Sequence, residues 1–137
     1  MPPSPFAPPY AELHCTSNFS FLRGASHPEE LVRTAHALGY SGIAITDRDT
    51  LAGMVRAHGA AKDLGMPLVV GAALEPVDAP ALVLWAVDRT GYANLCRLLS
   101  EGYGGIPAGA APRPEAAGDA PAERTVACRL SRAMIAA

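Results

Sequence analysis

Apolar residues fall into short alternating or continuous runs separated by stretches of helical spacing, and the order predicts strand, helix, strand, helix, strand, strand, helix. Tyr10 to Cys15 alternates as a first strand. Ser26-His27-Pro28-Glu29 predicts a helix start: Ser26 caps free amides, Glu29 completes a capping box, and Pro28 suits a first turn whose N–H has no partner. That helix is expected to reach about Leu38, with Leu31, Val32, Ala35 and Leu38 as a buried stripe and Gly39 as its left-handed stop.

Ser41 to Thr46 is a short apolar run rich in branched residues, the pattern of a buried parallel strand with Asp47 at its C-terminal end. Thr50 to Leu64 predicts a second helix with Leu51, Met54, Val55 and Leu64 on its apolar side and Gly65 as terminator. Pro67 to Gly71 follows as a third strand, Leu82 to Val87 as a fourth, and Thr90 to Tyr103 as a third helix. Gly39 and Gly65 stand 26 residues apart, the spacing of consecutive βα units. The pattern predicts an α/β chain whose sheet is mostly parallel, with Trp85 in its core.

Composition divides the 137 residues into three parts. Residues 1–9 form a Pro-rich leader, 10–103 carry the periodic elements, and 104–137 form a tail. From Gly104 to Ala122, 15 of 19 residues are Ala, Gly or Pro, the composition of a disordered linker. Val126 to Ala137 is expected to form at most a weak, unanchored helix. Charged residues make up 18% and the formal charge is -2, which argues against direct binding to a phosphate backbone. Cys15, Cys96 and Cys128 lie far apart, the pattern of reduced thiols. The N-terminus lacks a basic n-region and an apolar h-region, and no run is long enough to span a bilayer, so a cytoplasmic location is expected.

Two stretches carry the chemistry. Glu12-Leu13-His14-Cys15-Thr16-Ser17, running on to Ser26, and Ile43-Ala44-Ile45-Thr46-Asp47-Arg48 resemble the opening of the PHP domain family. In that family one strand ends in His-x-His-Ser and the next in Thr-Asp-His. The resemblance implies a βα barrel in which imidazoles and carboxylates at strand ends hold divalent metals that activate water. His14 stands at the first ligand position, but Thr16 replaces the second histidine and Arg48 replaces the histidine after Asp47. The family's Gly-x-Glu reads Gly71-Ala72-Ala73. Glu75, two residues on, keeps the same face of an extended chain but lies roughly 6 to 7 Å further along.

Ser20 to Val32, Leu51 to His58 and Leu82 to Leu95 are similar to one branch, the bacterial error-prone polymerases of the C family. The likeness extends from about Tyr10 to Leu99, and a frame shift or truncation after Leu99 is the simplest account of the altered tail. A full barrel needs roughly 200 to 250 residues, so the expected fold is α/β, a partial PHP-type βα barrel of about four strands and three helices with a disordered C-terminal tail. An inner strand left as an edge predicts marginal stability and association.

The site residues implied by the resemblance are His14, Asp47 and Glu75 as degenerate metal positions, with no catalytic or nucleic-acid-binding residue. Each also has a structural reading. His14 would be a hydrogen-bonded strand-end residue. Asp47 would cap the helix beginning near Thr50, with Arg48 as its ion-pair partner or a solvated loop residue. His27, His36 and His58 lack complementary ligand spacing and are expected to serve surface or packing roles.

Two functions follow from the resemblance. The first is a non-catalytic PHP scaffold of an error-prone DNA polymerase in damage-tolerant synthesis and repair, supporting the remaining polymerase domains or accessory replication proteins, with no cofactor. The second is a metal-dependent phosphoesterase or exonuclease in which His14, Asp47 and Glu75 hold manganese or zinc. An independent interaction protein is a third, weaker possibility. The chain has no spaced aspartates for nucleotidyl transfer, so polymerase activity belongs to the longer relatives.

Overall fold

The computed structural model describes residues 9–104 and 128–136. The elements are β1 (Ala11–Cys15), α1 (Pro28–Ala37), β2 (Gly42–Ile45), α2 (Met54–Leu64), β3 (Leu68–Leu74), β4 (Leu82–Trp85), α3 (Arg89–Gly104) and α4 (Arg132–Ala136). The expectations for 1–9 and for the Ala/Gly/Pro-rich linker fall, except for Pro9 and Gly104, outside the described residues.

One sheet runs in the order β1-β2-β3-β4. The first two pairings are parallel and the third antiparallel. The antiparallel turn follows from length: seven residues, 75–81, join β3 to β4, whereas a parallel crossover needs a dozen or more. The fourth strand is therefore a hairpin partner of β3 and not the next βα unit. It is also shorter than predicted, and β3 is longer.

Alternation along the strands separates two faces. Ile43 and Ile45 of β2 join Val32, Ala35, Met54, Ala57, Ala60 and Ala61 in one apolar cluster under α1 and α2. Ala72 and Leu74 of β3 join Leu95 and Leu99 of α3 in a second. The alternate residues of β3, Ala73 and beyond it Glu75, line the opposite face. The sheet curls so that the Trp85 indole N–H donates to the Leu13 carbonyl, 2.9 Å away, linking the last strand to the first. Trp85 is thus about half exposed, not the expected core residue.

The helix ends follow backbone rules, with shifts of a residue or more. The α1 N-cap is His27 rather than Ser26, and its N–H donates to Glu30 at 2.9 Å. Ser26 is excluded because its carbonyl accepts the Asn18 N–H at 2.9 Å, which commits it to the preceding loop. At the other end, Gly39 at φ 75 gives the bond pair Gly39 N–H to His36 and Tyr40 N–H to Ala35 that closes a Schellman turn. Gly65 at φ 65 ends α2 as expected. Two residues expected in the apolar stripes lie outside them: Leu38 is past the last turn and 56% exposed, while Val55 points outward at 82%. Alanines fill that α2 face, letting α1 and α2 approach closely, with Glu29 and Arg56 paired between them at 3.3 Å.

Residues 128–136 correct the expectation of an unanchored end. Leu130 is 1% exposed within the α3 cluster, beside Cys128. The Val77 N–H donates to the Leu130 carbonyl at 2.9 Å, the Arg129 N–H to the Gly102 carbonyl at 2.9 Å, and the Arg132 N–H to Asp78 at 2.7 Å. A Cβ added at Gly102 would fall 2.5 Å from the Cys128 sulfur, so glycine there admits the segment.

Candidate functional site at the strand ends

The connections after β1, β2 and β3 meet on the concave face. A bulge in β1 between Glu12 and Cys15 displaces the chain from its ladder with β2, and such bulges re-aim side chains. Its freed backbone groups find partners: the His14 N–H donates to the Glu12 carboxylate at 3.0 Å, and the Leu13 carbonyl accepts the Trp85 indole. The His14 N–H and the Tyr10 hydroxyl, 2.9 Å from Glu12, hold that carboxyl below its ordinary range. His14 Nδ1 meets Thr46 Oγ1 at 2.8 Å, which orients the ring.

Asp47 is 2% exposed and its carboxylate is fully engaged. Oδ1 accepts the Ser17 N–H at 2.7 Å and the Ser20 hydroxyl at 2.8 Å; Oδ2 accepts the Ser17 hydroxyl at 2.7 Å. Ser20 Oγ in turn accepts the Arg48 N–H at 2.8 Å. A buried carboxylate is tolerated when charge-assisted bonds saturate it. Asp47 therefore pins the β1–α1 loop and does not cap α2, whose N-cap is Gly53.

Strand pairing continues past β2, because Ala73 donates its N–H to the Asp47 carbonyl and accepts from the Asp49 N–H at 2.8 Å. That carries Arg48 to Glu75. Arg48 Nη2 lies 2.5 Å from Glu75 Oε2, and Arg23 Nη1 lies 3.2 Å from Oε1. The expected Arg48–Asp47 pair is not formed; the nearest carboxylate besides Glu75 is Asp49, 3.7 Å from Nε. Asp49 sits at φ 53, in the left-handed region that aspartate tolerates. Burial pushes its carboxyl above the ordinary range, against the opposing pull of the Glu75 N–H and Arg48.

These groups border a cavity of about 290 Å³ lined by His14, Thr16, Arg23, Arg48 and Glu75 over an apolar wall that includes Ala73 and Val83. Of the three sequence-derived positions, His14 and Glu75 line it together and Asp47 lies behind it. Arg23, Ser17, Ser20 and Asp49 were missed. The serines belong to the first motif, so Ser17 and Ser20 were within reach of sequence reading; Arg23 meets Glu75 only through the fold.

The donor set does not fit a divalent metal centre. Such centres gather several imidazole and carboxylate ligands with open positions. Here the Asp47 oxygens are taken by serines, both Glu75 oxygens face guanidiniums, and among the described residues no three His, Cys, Asp or Glu side chains converge. Among those residues no helix is long and apolar enough to cross a membrane.

Residues 12–127 match the family model described as the PHP domain, past the Leu99 limit expected from motifs alone. An error-prone DNA polymerase of Rhodopirellula baltica is 57% identical over 93 residues, covering 68% of this chain and 8% of that protein. One of Anaeromyxobacter dehalogenans is 55% identical over 115 residues, covering 80% and 10%. The chain thus spans about a tenth of the length of these relatives. A structure of a metal-dependent phosphoesterase from Bifidobacterium adolescentis superposes with a TM-score of 0.57 at 28% identity, over 72% of this chain and 34% of that one. An amidohydrolase from Chromobacterium violaceum, solved with sulfate and no metal, gives a TM-score of 0.57 at 26% identity, over 69% and 34%.

Proposed function

The chain belongs to the PHP domain family, and on that premise we propose that it is a non-catalytic structural module of an error-prone DNA polymerase, acting in damage-tolerant synthesis and DNA repair in the cytoplasm. The observation that carries this reading is the consumption of the strand-end polar groups in internal cross-links. Asp47 joins the loop after β1 to the end of β2, and the Arg23–Glu75–Arg48 bridge joins the segments after β1, β2 and β3. Groups at these positions that are bound to one another brace a scaffold instead of facing a substrate. The identity of 55 to 57% to error-prone polymerases supports the lineage. Polymerisation itself would belong to the remaining domains of such a protein, which are the partners this module is expected to support.

The phosphoesterase name of the Bifidobacterium neighbour supports the competing reading, in which the cavity binds manganese or zinc and hydrolyses a phosphoester. Calorimetry with both metals, run beside a phosphodiesterase assay on the purified chain, separates the two. The scaffold reading expects neither saturable metal binding nor turnover; hydrolysis abolished by His14→Ala in a folded protein would overturn it. A second arm replaces the corresponding 93 residues of the Rhodopirellula polymerase with this segment. Retained primer extension is expected, and a folded but inactive chimera would count against a scaffold role.

A further inference from the structure

Among the described residues the sheet ends in β1 on one side and β4 on the other, and the two edges differ. The β1 edge is guarded. It carries a bulge and the charged Glu12, whose carboxylate takes the His14 N–H at 3.0 Å, while the Leu13 carbonyl accepts the Trp85 indole. Bulges and charges on an edge hinder the pairing of another strand there. The β4 edge has neither. Residues 82–87 read Leu-Val-Leu-Trp-Ala-Val, without a charge, a proline or a glycine. The ladder with β3 runs in unbroken register from Leu82 to Trp85.

Which backbone groups of β4 face outward follows from that ladder. The Ala86 N–H donates to the Val70 carbonyl at 2.8 Å, and a Cβ added at Gly71 would fall 2.6 Å from the Leu84 carbonyl oxygen, so Leu84 and Ala86 turn toward β3. Hydrogen-bonded positions alternate along an antiparallel pair, which directs the N–H and C=O groups of Val83 and Trp85 to the open side. Among the described residues nothing pairs with them. The side chains here are apolar and poorly covered. Leu82, Val83 and Leu84 are only partly buried, Trp85 is about half exposed, and Val87 just beyond is 96% exposed.

We infer that this edge pairs with the same edge of a second copy of the chain, antiparallel about a twofold axis at Leu84. The run is self-complementary in that register: Val83 meets the partner's Trp85, Leu82 the partner's Ala86, and Leu84 the partner's Leu84. No like charges oppose one another. Each Val83–Trp85 pair exchanges both of its N–H···O bonds and sets a β-branched side chain against an aromatic one, a favourable cross-strand combination. A formal charge of -2 per chain adds little repulsion between copies. Because the contact uses the same strand on both sides, it closes at two copies and joins the two curled sheets into one. The inference rests on the sheet edge and is independent of the scaffold reading.

Sedimentation velocity of the purified full chain over a wide range of concentration tests this. A reversible monomer–dimer equilibrium is expected, ending at two chains. Val83→Pro removes an N–H that points away from β3, so the strand tolerates it but cannot pair outward there. Its dimer should dissociate at least tenfold more readily, since the donor is lost from both copies. Amide hydrogen exchange in the native chain gives the local readout. The Val83 and Trp85 amides should slow as concentration rises, while the Leu84 and Ala86 amides, bonded to β3, stay slow throughout. Circular dichroism establishes that Val83→Pro is folded; if it is not, sedimentation and exchange of the native chain decide. A chain that stays monomeric overturns the proposal, as does a dimer whose Val83 and Trp85 amides ignore concentration. Slow exchange at both amides in the monomer would place a segment of the same chain on the edge and equally overturns it. Unchanged association of folded Val83→Pro, or growth beyond two copies, refutes the twofold pairing.

Discussion

At the scale of single residues, Asp47 shows how one side chain can be legible in position and misread in role. Its place at the end of a buried strand follows from the pattern of Ile43 to Thr46, but its partners, Ser17 and Ser20, lie about thirty residues earlier. Asp47→Ala strands a buried N–H and two hydroxyls and should cost about 3 kcal/mol, read as a lower urea midpoint at unchanged slope. Asp47→Asn, which keeps one acceptor oxygen, should cost less. Near-neutral behaviour of both variants would refute the pinning role. Cys128 makes a prediction about pH. Burial pushes its thiol from 9.0 up to about 11. The folded chain therefore holds a proton that the unfolded chain releases, so this contribution to stability is complete below pH 9 and is lost as pH rises through 11. Thermal unfolding should fall more steeply over that interval for the native chain than for Cys128→Ala; parallel curves would exclude Cys128 as a cause.

At the scale of elements, strands and helices were readable because their rules are local. Gly39 and Gly65 end helices since glycine enters the left-handed region without steric cost. Two glycines of the α2 region should respond oppositely to alanine. Gly65→Ala meets no neighbour yet must hold φ 65, and should destabilise by roughly 1 kcal/mol. Gly59→Ala, inside the helix and also in open space, should stabilise by roughly 0.5–1 kcal/mol. Urea midpoints moving the same way for both would contradict these backbone assignments. Trp85 was less legible. Composition alone favours burial of tryptophan, whereas its indole N–H serves the displaced Leu13 carbonyl of the β1 bulge, a demand visible only when strand one and strand four meet.

At the scale of the whole molecule, the curled sheet is held by contacts between distant parts of the chain. The segment at 128–136 closes the cluster under α3, although its sequence has no strong periodicity to predict an anchor. Leu130→Ala should cost roughly 2–5 kcal/mol, as expected for a fully buried leucine. Chemical denaturation would report it as a shift of the entire cooperative transition. An unchanged midpoint would mean that the segment does not contribute to the fold. Among the described residues the four-stranded sheet also leaves edges, which the Trp85 bond bridges at one point.

By itself the sequence determined the order of elements, the two glycine helix stops, the placement of His14, Asp47 and Glu75 at strand ends, and the family likeness. Those features depend on periodicities of two and 3.6 residues and on backbone preferences, both of which act over a few neighbours. Only the tertiary structure decided that Asp47 is bound by serines, that Glu75 is clamped by Arg23 and Arg48, and that Leu130 is core. Each is a contact across tens of residues. Hydrogen bonds and ion pairs form where the curl of the sheet brings charges within about 3 Å, and sequence spacing does not encode that distance.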